Sequence, residues 1–147
     1  HLFAYYEDVD LSWMARLLGF KVGYSPDSVC YHKGSATFGS YDSFVGYLND
    51  RNMLRVIMKN YALTSLLFVL PLTITLKLYL SLVKCAFNQD FRYLSNFSKA
   101  LLWNTVNLRS TLVRRHCIQS KRKESDRKIW RNIVPYGLDI RSQLRNM

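Results

Sequence analysis

Glu7-Asp8-Val9-Asp10 places three carboxylates within four residues. Clustered carboxylates can hold a divalent cation or take a proton from a hydroxyl as a general base. Neighbouring acids also raise each other's proton affinity, which helps a base work near neutral pH. The same residues suit a purely structural role, because Asp8 or Asp10 can cap a helix and acids favour its positive end. A calcium loop is excluded. Asp8-x-Asp10-x-Ser12 begins like one, but Trp13 stands where that loop needs Gly. Two further positions carry candidate chemistry. His32 can ligate a metal or serve as a structural hydrogen-bonding residue. Arg51, followed by Asn52, can hold a phosphate bidentately or belong to a solvated helix face.

The elements around these residues set their positions. Leu2-Phe3-Ala4-Tyr5-Tyr6 is a short apolar run that predicts a strand or its end. The period then changes: Leu11, Met14 and Leu18 recur at helical spacing, and Gly19 follows as a stop. Residues 20–24 read as extended, Pro26-Asp27 as a turn, and residues 28–32 as a further short strand ending at His32. The acids thus fall where a strand ends and a helix begins, the ligand-binding edge of open α/β sheets.

A helix is expected from about Asp42 to Tyr61, with Phe44, Tyr47, Leu48, Leu54 and Ile57 on its apolar side. Residues 60–76 contain no charge, and Lys77 is the only one before Lys84. At 1.5 Å per residue, that run covers roughly 26 Å, slightly less than the ~30 Å hydrocarbon core. With Lys77 snorkelling it becomes long enough to span. A buried helix pair is a further possibility, but Pro71, the threonines and Lys77 favour a helix broken near Pro71 and lying in the interface. Residues 90–115 predict one long helix, and Ser125-Asp126 a cap for a last short helix before Pro135.

Charge divides the chain. Residues 1–60 hold six basic and six acidic side chains, whereas residues 61–147 hold 15 basic and four acidic, so the whole net charge of +11 lies in the second part. Such a region attracts anionic membranes or nucleic acid. Between Arg109 and Arg131 there are nine basic and two acidic residues without a nucleic-acid-reading motif, which makes nucleic acid the poorer expectation. Cys30, Cys85 and Cys117 are odd in number and far apart, which fits a reducing compartment better than a disulfide framework. The start at His1-Leu2-Phe3 shows no signal-peptide pattern and reads as the downstream part of a longer protein.

The pieces E-D-V-D-L with R-L-L-G-F, then H-K-G-S, then R-N, in this order, resemble the C-terminal half of family 2 glycosyltransferases. The branch they resemble includes rhamnosyltransferase-like enzymes of bacterial surface-polysaccharide assembly. Leu70-Pro71 and the SDRKIWR stretch near the end are similar to the tail of that branch. The resemblance implies an α/β, helix-rich fold: part of a GT-A (Rossmann-like) half with a few short strands, then a mostly helical extension. It implies residues 1–60 as the acceptor side of the catalytic domain and residues 61–147 as a membrane-associated extension. Asp8 would be the base and Glu7 would shape the acceptor pocket. His32 would complete a Mg²⁺ or Mn²⁺ site, and Arg51 would bind the diphosphate. The nucleotide-binding half, with its Asp-x-Asp metal ligand, does not precede Glu7, so activity would belong to the parent protein.

The implied partners are a nucleotide-sugar donor, a glycan or lipid-linked acceptor, and an anionic membrane surface. The implied place is the cytoplasmic face of the inner membrane, peripheral or monotopic. A non-catalytic membrane-anchoring module with a basic tail is the alternative. It accounts for residues 61–131 but not for the E-D-V-D-L motif.

Overall fold

The computed structural model describes residues 2, 4–23, 25–31 and 43–131. Six helices lie within them: α1 (Glu7–Leu17), α2 (Ser43–Asn60), α3 (Leu63–Asn88), α4 (Arg92–Val106), α5 (Leu108–Gln119) and α6 (Asp126–Arg131). Among the described residues there is no strand, which corrects the expected α/β architecture and its partial GT-A sheet. A strand needs a neighbour for its backbone groups. None is supplied among the described residues, and Val29 and Tyr31 lie exposed instead. At the other expected strand, Tyr5 and Tyr6 both take φ 67, a left-handed bend. Asn52 holds it: its fully buried amide donates to the carbonyls of Ala4 (2.6 Å) and Tyr5 (2.9 Å).

Helix α1 ends as its sequence predicts. Gly19 adopts φ 87, a conformation that a side chain would strain. Its N–H reaches the Arg16 carbonyl at 3.0 Å, and Phe20 N–H reaches Ala15 at 2.9 Å, the paired bonds of a Schellman stop. No side chain caps the other end, which corrects the capping expectation for Asp8 and Asp10.

Helix α2 is the centre of the packing and meets all of α1, α3, α4 and α5. Met53 and Leu54 pack with Phe97 of α4, and Leu70 and Ile74 of α3 close over them. Phe97 is fully buried, and losing such a ring costs about 3–5 kcal/mol. Helices from both sides of residue 60 therefore share one core. The C-terminal carbonyls of α2 are satisfied by α5 and the turn after it. Arg115 donates to Met58 (2.7 Å) and Tyr61 (2.6 Å), and Gln119 to Lys59 (3.1 Å) and Asn60 (2.9 Å). Cations suit this negative helix end. So Arg115 stabilises the bundle and is not spare charge for a headgroup.

Helix α3 runs unbroken through Pro71 for 26 residues, which corrects the expected break. Pro71 removes one ladder hydrogen bond, and the turns on either side keep the rest. The helix spans about 39 Å, and an 18-residue stretch of it has a mean hydropathy of 2.1. It is long and apolar enough to cross a membrane, and only 6% of that stretch is buried against the protein. Leu67, Phe68, Leu72 and Leu76 are all more than half exposed. Lys77 does not snorkel: it pairs with Asp50 of α2 at 2.8 Å.

The single helix expected over residues 90–115 is two, divided at Asn107. The Asn107 side chain and its own N–H both bond the Trp103 carbonyl, at 2.8 and 3.0 Å. This local competition turns the backbone. The last short helix forms where expected, with Ser125 Oγ accepting the Lys128 N–H at 3.3 Å.

Candidate functional site

The first turn of α1 divides its three acids between two tasks. Asp10 is buried and pairs with Lys59 of α2, while Asn60 donates to its other oxygen at 2.9 Å. Glu7 and Asp8 are exposed. Asp8 Oδ1 accepts only the adjacent Val9 N–H, at 2.8 Å, and among the described residues neither Glu7 nor Asp8 has an ion-pair partner. The spacing of Asp10, Met14 and Leu17 carried the signal for the buried role. All three fall on one helical stripe, and Leu17 is fully buried.

Successive residues on a helix diverge by about 100°, and Glu7 and Asp8 accordingly line different hollows. Asp8 lies beside Ser12, Trp13, Arg16 and Ile129 in a cavity of about 320 Å³. Trp13 meets Tyr61 edge-on at 4.6 Å between centroids, and its buried indole N–H has no acceptor. Glu7 lines a cavity of about 420 Å³ between α1, α2 and α5, together with Asp10, Arg55, Lys59 and Arg114.

Arg51 sits elsewhere. Its guanidinium lies 4.8 Å from the Trp103 ring centre and 5.6 Å from that of Tyr47, and its Nε donates to Asn52 at 3.0 Å. It lines neither cavity. Arg55 approaches the same Trp103 ring at 5.0 Å and donates to Ser110 Oγ at 3.0 Å. Burial, then Arg114 and Arg51, hold the Arg55 guanidinium below its ordinary value, with Asp10 opposing. Arg51, Arg55 and Lys59 stand four residues apart on one face of α2. That cationic stripe was readable, yet the cavity it borders needed α5 to close it.

The structure brings Glu7 and Asp8 to one helical turn and places Arg51 away from both. His32 lies outside the described residues. Among the described residues no group of three His, Cys, Asp or Glu is placed to hold a metal ion. Asp10 is committed to Lys59 and Asn60, and Glu7 and Asp8 face apart, so these three carboxylates do not assemble a cation site.

Comparison with known proteins found no matching family model, no matching curated protein and no matching solved structure.

Proposed function

We propose that this chain forms the acceptor side of an inverting, nucleotide-sugar-dependent glycosyltransferase of cell-surface polysaccharide synthesis. It works at the cytoplasmic face of the inner membrane. The observation that carries the reading is the split within the E-D-V-D motif. Asp10 is locked inside the bundle, while Asp8 projects an unpaired carboxylate from the same turn. An acid in this turn also favours the positive end of α1, and its exposure leaves the carboxylate open to an acceptor hydroxyl.

In this reading Asp8 takes the proton of an acceptor hydroxyl. The freed oxygen electrons attack the anomeric carbon of the donor sugar. The bond from that carbon to the nucleoside diphosphate breaks, its electrons leave with the diphosphate, and the configuration inverts. The indole face of Trp13, beside Asp8, offers an apolar surface for a sugar ring. Glu7 binds acceptor hydroxyls from the neighbouring hollow. The exposed apolar side of α3 holds the protein at lipid, where a lipid-linked acceptor resides.

The membrane-anchoring alternative draws on α3 equally, so vesicle binding does not separate the two. Sugar transfer by the intact protein does. Loss of transfer in Asp8→Asn, with folding retained, supports the enzyme. Turnover within about threefold of wild type would remove Asp8 from the role, since a general base contributes roughly 10²–10⁴-fold.

A further inference from the structure

The cavity between α1, α2 and α5 is lined by a buried cation that forms no ion pair among the described residues. Arg55 is only 6% exposed. One of its donors reaches Ser110, and its face lies against Trp103. A buried charge is costly unless it is paired. The acid that influences it, Asp10, is already bound by Lys59 and Asn60. A second guanidinium, Arg114 of α5, lines the same hollow and adds like charge. Two guanidiniums around an open volume of about 420 Å³ make a poor structural element and a good anion receptor.

We infer that the cavity between α1, α2 and α5 binds a phosphate group, held by Arg55 and Arg114. A phosphate carries enough charge and enough acceptor oxygens for both guanidiniums, which a carboxylate does not. Lys59 contributes little, being committed to Asp10. Glu7, which also lines the cavity, opposes any anion but accepts hydrogen bonds from hydroxyls, which favours a phosphate ester of a polyol over a bare inorganic anion. The phosphate can be soluble or part of a lipid headgroup. The inference stands on the cavity alone and does not require sugar transfer.

The test is binding by the intact chain at fixed ionic strength, with the protein in detergent for soluble ligands and detergent-free for vesicles. One arm titrates inorganic pyrophosphate and glycerol 3-phosphate by calorimetry. The other uses phosphatidylcholine vesicles carrying phosphatidic acid or, at matched charge, oleate. Saturable binding in the first arm assigns a soluble phosphate. Preference for phosphatidic acid over oleate assigns a lipid one. In whichever arm binds, Arg114→Gln should weaken affinity roughly ten- to hundredfold. Arg114 is exposed, so this variant should keep its fold. Lys99→Gln removes the same charge from an exposed site outside the cavity and should change nothing. Arg55→Lys keeps the buried charge, loses the forked donor, and should weaken binding as well. Absence of binding in both arms, or equal affinity of the Arg114 and Lys99 variants, overturns the site.

Discussion

Asp10 and Lys59 form a buried ion pair that joins the first turn of α1 to the last turn of α2, 49 residues away in sequence. Both side chains are about nine-tenths buried, so neither finds water if its partner is removed. Asp10→Ala should therefore cost about 3–5 kcal/mol, as expected when one member of a buried pair is left alone. Chemical denaturation of the two proteins checks this. A loss below about 1 kcal/mol would mean that the pair is solvated and does not hold α1 in place.

Asp8→Asn should behave in the opposite way. The side chain is exposed and bonded only to its neighbour's N–H, so stability should stay within about 0.5 kcal/mol of wild type. On the proposed function, sugar transfer by the intact protein should fall by roughly 10²–10⁴-fold. Together the two aspartates test whether the motif divides support from chemistry.

The outward side of α3 gives a third expectation. Leu67 and Leu72 are 66% and 69% exposed, so Lys at either should leave the thermal midpoint of the detergent-solubilised protein nearly unchanged. Membrane retention should fall, because a charge near the middle of an inserted helix costs about 2.5–3.5 kcal/mol. Salt washing of the wild type should release only part of the protein, since apolar contact is not screened. Unchanged pelleting of a variant with Lys at both positions would show that the leucines do not meet lipid.

Alkaline pH should loosen the bundle. Burial raises the Tyr61 phenol above its ordinary value, partly offset by the hydrogen bond from the Trp130 indole N–H, and burial also raises Tyr6. The folded state then keeps these protons to higher pH than the unfolded state does. The stability they contribute is complete below the ordinary tyrosine value and is lost as pH rises through the raised one. Denaturant midpoints followed upward from about pH 9 should decline, and Tyr61→Phe should make the decline shallower.

Local signals were legible where the chain decides structure locally. Gly19 stopped α1, Ser125 started α6, and the spacing of apolar residues marked α2. The strands were misread because an apolar run of five residues is only half of a sheet. Its other half is a partner, and here Asn52 takes the carbonyls instead. The break assigned to Pro71 failed because one missing N–H is a small fraction of a long ladder. At the candidate site, the acids were found by type and spacing, but their separation into Asp10 inside and Asp8 outside depends on Lys59. The pairing of Arg55 with Arg114 around one cavity links residues from two distant helices, and no local pattern announces it.

The carboxylate of Asp126 accepts the Ala62 N–H at 2.9 Å and also binds Arg122, so it seats the start of α3. Those partners lie 64 residues apart, with the donor made first. During synthesis α3 is therefore complete, and available to lipid, well before the residue that fixes its first turn leaves the ribosome. The chain is thus made in an order that lets the apolar helix meet its surroundings before the segment that seats its first turn exists.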